Sequence, residues 1–385
     1  MRVSVIGGGI VGLAAAHYLG RRGVDVVVVE KSTIGSGSTD RANGGIRAQF
    51  SSPVSAHLSQ ESIAVWERFG ELFGTGIGYR RPGYLFLARR ESTAERFREN
   101  VRQQNRLGVG SEFLTPAEAE DRCPELRTEA FRGATYRAAD GFADPHLALQ
   151  GFSAAATETG AAIRTGVTVT DVLQEGAGDR VTGVRTDEGT IESDYVVNAA
   201  GAWAGRIGEM AGLDLPIVPR RRQLMVAAPE IPIDSSIPFT IDHDRGVHFR
   251  PERDGNAVVG GHFADADPAM DPDDYRKKMD LDWAAETIEA AADCANYFGP
   301  DSRVERGWAG LYAVTPDHHP IIGETLPGFV TAAGFSGHGF MQAPATGQLV
   351  AELIDEGEPS LVDVSSLGAD RFDRGAHLEE GTVID

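Results

Sequence analysis

The 385-residue chain is short of lysine, of cysteine and of long apolar runs. Lysine occurs only at Lys31, Lys277 and Lys278, so arginine carries nearly all the positive charge. With 57 acidic against 36 basic residues the net charge is −21, which repels phosphate and excludes nucleic acid as an expected partner. Concentrated salt would screen such a lysine-poor, acidic surface, so a halophilic source is predicted. Cys123 and Cys294 stand far apart and outside any C-x-x-C pair, pointing to neither a disulfide framework nor a zinc site. No run of about 18 apolar residues occurs, and a glycine motif rather than a signal peptide occupies the apolar N-terminal stretch. The expectation is a soluble, cytoplasmic protein with no transmembrane segment and no metal.

What is present organises the chain into two lobes, because this length exceeds one compact core. Residues 2–6 read as a buried strand, Ile10 to Arg22 as a helix and Val24 to Val29 as a second strand, forming a β-α-β unit. Further helices are predicted at about Pro53–Phe73, Glu91–Leu107 and Pro145–Thr159, as one or two acidic helices over 272–297, and from Gly339 through Leu353. Alternating segments at Gln223–Ala227, Val247–Arg250 and Ala257–Val259 suit an antiparallel sheet. A polar tail follows Ala369.

Gly7-Gly8-Gly9-Ile10-Val11-Gly12 fits G-x-G-x-x-G, after a strand and at the opening of a helix. Gly7 allows a tight turn, Gly9 leaves room for a diphosphate, and Gly12 lets helix and strand approach. The helix N-terminus offers unpaired N–H groups and a favourable dipole to phosphate. Glu30 ends the second strand, where a carboxylate accepts hydrogen bonds from ribose hydroxyls and disfavours a 2′-phosphate. The motif alone does not separate FAD from NAD.

Nearly the whole chain resembles the D-amino acid oxidase superfamily of FAD enzymes, above all the branch with sarcosine oxidases, glycine oxidase and the β subunits of archaeal proline dehydrogenases. The likeness rests on Gly7–Gly12 with Glu30-Lys31, and on Gly35-Ser36-Gly37-Ser38-Thr39 leading to Gly44-Gly45-Ile46-Arg47. It continues through Asp140-Gly141, Asp144-Pro145 and Asn198-Ala199-Ala200-Gly201-Ala202-Trp203, then Thr315-Pro316-Asp317, Pro320–Gly323 and Gly334-Phe335-Ser336-Gly337-His338-Gly339.

The resemblance implies an α/β fold: a Rossmann-type FAD-binding domain from 1–78, 140–218 and 306–368, and a substrate domain on a mainly antiparallel sheet from 79–139 and 219–305. Ser38 and Thr39 offer hydroxyl donors, Gly44 and Gly45 leave room for a flat ring, and Val169 supplies the backbone contact to adenine. Ala200, Gly201, Gly310 and the segment Gly337, His338, Gly339, Phe340 and Met341 border the flavin, as does Trp203. The C-terminal helix would point its positive end at reduced flavin. Gly310 stands where monomeric sarcosine oxidases carry the flavin-linked cysteine, so the FAD is expected to be non-covalent.

Oxidising an amine needs a carboxylate anchor and a substrate carbon held against the flavin, with no strong protein base if the amine binds deprotonated. Arg47 is the first candidate anchor and matches a residue that contacts carboxylate in the family. His262, His248 and Arg250 are expected to face the flavin from the antiparallel sheet, and Tyr312 to close the pocket. The resemblance sets Val258 where the sarcosine oxidases carry a lysine that assists reaction with oxygen, and Met341 where they carry one that pairs with substrate carboxylate. The expected activity is oxidation of a small amino acid or N-methyl amino acid, as a dehydrogenase serving another acceptor or a partner subunit. A 2-hydroxy acid dehydrogenase and a non-catalytic FAD-holding subunit are the alternatives.

Overall fold

The computed structural model describes residues 1–176, 180–263 and 268–382. The opening strand Arg2–Ile6 lies at the heart of a six-stranded sheet, with Asp25–Glu30 and then Ala162–Thr165 on one side. Tyr195–Asn198, Phe329–Ala333 and Ile321–Leu326 follow on the other, and only the last of these runs antiparallel. Buried on both faces, the strands are rich in valine, as a covered parallel sheet requires. The helices Ile10–Arg21 and Gly339–Asp355 pack against each other so closely that a Cβ on Gly347 would sit 2.6 Å from the Ala14 backbone. A three-stranded antiparallel sheet, Val169–Glu175 with Arg180–Thr186 and Gly189–Glu192, adjoins this lobe.

The second lobe is an eight-stranded sheet in the order Arg303–Val314, Val218–Ala228, Ala257–Gly261, Val247–Pro251, Phe239–Asp242, Tyr84–Ala88, Gly133–Arg137 and Glu112–Leu114. All neighbours are antiparallel except Phe239–Asp242 with Tyr84–Ala88. The strand Arg303–Val314 pairs along its whole length with Val218–Ala228. Residues 306–314, expected in the first lobe, therefore belong to the second sheet.

Three other expectations need correction. The helix foreseen at 53–73 is two helices, Pro53–Glu67 and Phe69–Phe73, broken at Arg68 where φ is −106° and ψ 11°. That break lets Trp66 and Phe69 both turn inward and stack with centroids 5.3 Å apart. Within 272–297 only Leu281–Ala292 is helical; the preceding acidic residues form an arm whose Asp271 and Asp273 reach Arg206 of the first lobe. The polar tail after Ala369 packs back onto the fold: buried Arg371 grips Asp317 at 2.8 and 3.1 Å, and Thr382 is buried. Among the described residues no helix is long and apolar enough to cross a membrane, and no cluster of metal-ligating side chains occurs.

Candidate active site

The nucleotide end is built by the first turn of the chain. Gly7 adopts φ +108° and donates its N–H to Val29 at 2.9 Å, closing the loop over the second strand. A Cβ on Gly12 would lie 2.0 Å from the Gly7 carbonyl, so this glycine serves helix-to-strand contact and does not border the cavity. Gly9 differs. Its φ of −80° suits any residue, and a Cβ there would meet nothing closer than Thr39 Oγ1 at 3.4 Å. The protein itself therefore makes little demand for glycine at this position, whereas a diphosphate seated on the helix N-terminus does. Glu30 is already oriented, accepting from Gly8 N–H at 2.9 Å and Ser32 N–H at 2.8 Å.

A cavity of about 450 Å3 leads from this cradle to the antiparallel sheet. Every residue expected from sequence to hold the cofactor or the substrate borders it except Gly12 and Arg250. At its near end are Gly7, Gly9, Ile10, Val11, Glu30, Lys31, Thr39, Val169, Ala200, Gly201 and Trp203. Lys31 lies 4.0 Å above the Trp203 ring and is ion-paired with Asp273 of the arm. Thr39 Oγ1 accepts the Ile10 N–H at 3.2 Å, and Ser38 donates to the Leu311 carbonyl at 2.7 Å, so both hydroxyls brace the cradle.

At the far end Gly44, Gly45, Gly310, Gly337, His338, Gly339, Phe340 and Met341 form one wall. The Cβ direction of Gly45 is filled by the Tyr84 hydroxyl at 1.9 Å, and that of Gly337 by the Tyr312 ring at 2.3 Å. These glycines thus admit protein side chains rather than leaving space for a ring on that side. Across from them runs a continuous series of rings. Tyr84 stacks on Phe239 at 4.4 Å, Phe239 on His248 at 5.5 Å, His248 meets His262 edge-on at 5.5 Å, and His262 meets Tyr312 at 5.9 Å. The structure brings His248, His262 and Tyr312 together along this wall of the cavity.

Burial, followed by the charges of Arg250 and Arg222, pushes the His248 pKa down to about 4, so its imidazole is neutral at working pH. Burial and then Arg47 likewise hold His338 well below the usual histidine range. Arg47 is buried, yet its guanidinium is well supplied with acceptors. Nη1 donates to the Gln49 carbonyl and to Thr382 Oγ1 at 3.0 Å, Nη2 lies 3.2 Å from His338 Nε2, and the Phe50 ring sits 3.9 Å away.

Arg250 does not reach the cavity. Its Nε donates to Asn43 Oδ1 at 2.8 Å and Nη1 to Glu252 at 2.9 Å, so its charge is used within the protein. Val258 is buried and also away from the cavity, although Gly260 on the same strand abuts His248. Sequence reasoning missed Arg222, which borders the cavity 5.6 Å from the Tyr312 ring, and also Tyr84, Phe239 and Thr382. Arg222 is one of three consecutive arginines, and only strand alternation would have separated it from Arg221, which turns away to Asp280 at 2.6 Å.

Comparison with known proteins agrees with this geometry. A structure of L-proline dehydrogenase from P. horikoshii superposes with a TM-score of 0.88 at 35% identity, over 98% of this chain and 99% of that one. Glycine oxidase from Geobacillus kaustophilus superposes with a TM-score of 0.83 at 26% identity, over 96% and 99%. Sarcosine dehydrogenase of Mus musculus is 30% identical over 96% of this chain, which spans only 41% of that protein. FAD-dependent oxidoreductase domain-containing protein 1 of Bos taurus is 29% identical over 99% of the chain and 87% of its own length. The family model for FAD dependent oxidoreductases, DAO, matches residues 2–353. With a diphosphate cradle at one end of its cavity and a roof of rings at the other, the chain belongs to the DAO family of FAD-dependent oxidoreductases, and it is an enzyme whose cofactor is FAD.

Proposed function

We propose that the chain oxidises the C–N bond of a small amino acid or a secondary amino acid of the sarcosine, glycine, proline or D-amino acid type. FAD, when bound, supplies the two-electron oxidation. The observation that carries the reading is the far end of the cavity, where Arg47 and Arg222 border it together with the rings of Tyr84, Phe239 and Tyr312 and the neutral imidazole of His248. The two guanidinium groups offer a carboxylate its counter-charge, and Arg222 makes up for Met341, which stands where the resemblance to sarcosine oxidases puts a lysine. The rings of Tyr84, Phe239 and Tyr312 exclude water and hold a small apolar carbon skeleton. His248, with a pKa of about 4, is too weak a base to draw a proton from a hydroxyl group, which favours an amine over a 2-hydroxy acid.

Electrons are proposed to leave to an acceptor other than oxygen, a partner subunit included, and the FAD to be non-covalently held. The likeness to L-proline and sarcosine dehydrogenases supports the choice of acceptor, as does the position of the lysines: of the three, only Lys31 borders the cavity, and it lies at the nucleotide end. Gly310 offers no thiol for attachment. The test is an anaerobic screen of amino acids and N-methyl amino acids for loss of flavin colour, repeated in air with peroxide detection. Bleaching by a 2-hydroxy acid alone would overturn the substrate class, and rapid stoichiometric peroxide would overturn the acceptor. The acidic, lysine-poor composition supports a salt-rich cytoplasm as the working medium; a Tm that falls as KCl is added would count against it.

A further inference from the structure

The last described residues form a strap that meets the far end of the cavity at Thr382. Leu378 N–H donates to Asp317 at 3.3 Å, the carbonyl of Gly381 lies 3.3 Å from His243 Nε2, and Gly381 N–H donates to Ser51 Oγ at 2.6 Å. Between them Glu380 turns its side chain inward until it is 2% exposed. Its Oε1 accepts from Ser51 N–H at 2.9 Å, Ser51 Oγ at 2.8 Å and Thr382 Oγ1 at 2.6 Å, and Oε2 accepts from Ser52 N–H at 3.3 Å. This carboxylate sits in an acidic C-terminal sequence beyond the residues that the family model matches, 2–353.

The direction of each hydrogen bond follows from the donor inventory. Arginine can only donate, so Thr382 Oγ1 must accept from Arg47 Nη1 at 3.0 Å. The same hydroxyl then has its single proton for Glu380. The result is a relay, Arg47 to Thr382 to Glu380, that fixes the hydroxyl rotor and brings a negative charge, alongside that of Asp140, to a buried guanidinium flanked by the Phe50 and Phe86 rings. A buried cation without such a partner would be costly and would swing toward the nearest acceptor.

We infer that Glu380, acting through Thr382, is a positioning residue for Arg47, and that the C-terminal strap is part of the substrate end of the site. The inference rests on the reading of Arg47 as the carboxylate anchor. The holoenzyme is titrated with acetate, and binding is read from the change in flavin absorbance; a neutral analogue, acetamide, is titrated in parallel. Thr382→Val keeps the shape of the side chain and removes the relay. Glu380→Gln removes the charge and serves as the second variant.

Each variant should weaken acetate about five- to tenfold, the size expected for one charge-assisted hydrogen bond, while acetamide shifts far less. With the reactive substrate, the loss should fall on KM ahead of kcat. Unchanged acetate affinity in both variants, or an equal loss of acetate and acetamide, overturns the positioning role. If acetate binds the wild type and is lost in Arg47→Met yet kept in Thr382→Val, the anchor stands and the relay alone fails. If acetate perturbs neither wild type nor Arg47→Met, the anchor itself fails and the role of Glu380 falls with it.

Discussion

Arg250 Nε donates to Asn43 Oδ1 at 2.8 Å and to the Asn43 carbonyl at 3.1 Å, so an arginine on the sheet of the second lobe clamps the loop that leads to Gly44 and Gly45 of the first. Its charge is matched by Glu252 at 2.9 Å, and its guanidinium lies 4.7 Å from the Phe142 ring. Arg47, the first candidate anchor from sequence, and Arg250, expected to face the flavin from the sheet, therefore differ in kind. One borders the cavity and the other ties the lobes together.

Replacing them should separate these roles. Arg250→Met removes a buried, charge-assisted clamp and should lower stability by about 2–3 kcal/mol, with carboxylate affinity held within about twofold. Arg47→Met should weaken carboxylate binding about tenfold or more. Urea unfolding and acetate titration of the two holoenzymes check the contrast, and an equal loss of acetate affinity would place Arg250 in the site after all.

The glycine motif yields a second contrast. Gly12→Ala would press a methyl group to 2.0 Å from the Gly7 carbonyl, so the β-α-β unit itself should fail and soluble yield should collapse. Gly9→Ala meets no such obstacle and should leave the Tm of the FAD-free protein within about 2 °C while lowering FAD affinity at least about tenfold. Retained FAD affinity in Gly9→Ala would mean that the diphosphate lies elsewhere.

Much of this was legible in the sequence where one residue type has one physical use. The strand-turn-helix with Glu30 could be read because tight turns, close approach and ribose binding leave few substitutes, and the covered sheet announces itself by its valines. The ring series of His248, His262 and Tyr312 was reached by resemblance, since residues far apart in the chain meet only once the sheet is paired. What stayed hidden depends on long-range partners. Glu380 and Arg371 look like solvated charges until Ser51, Ser52 and Asp317 are seen to wait for them, and a run of arginines does not declare which one faces inward.

The acidic arm should govern how firmly FAD is kept. Asp273 accepts from Trp203 Nε1 at 2.9 Å and Arg206 at 2.6 Å and pairs with Lys31, closing the nucleotide end with groups that remain about half exposed. Asp273→Ala should speed FAD release several-fold at low ionic strength, and the difference should shrink in 1 M KCl, where charges are screened within about 3 Å. Release followed by flavin fluorescence checks it. A difference that persists undiminished at high salt would show that the arm acts by shape rather than by charge.

Acid should weaken the fold through His248. Folded His248 gives up its proton at a pKa of about 4, because burial and then the neighbouring charges of Arg250 and Arg222 disfavour the imidazolium. The unfolded chain takes up that proton near the ordinary value of 6.5, so between pH 6.5 and about 4 the unfolded state binds more protons. Stability must then rise with pH across this window, and the contribution of neutral His248 is fully present above pH 6.5 and lost as pH falls toward 4. Carboxylates titrate in the same range, so the test is a difference: His248→Gln removes one titrating group and should flatten the fall in unfolding free energy by up to about 1.4 kcal/mol per pH unit near pH 5. Urea unfolding of wild type and variant at several pH values between 4 and 7 measures it. Parallel curves would mean that water reaches His248 and that the roof over the cavity is open in solution, which would also remove the reason for calling it too weak a base.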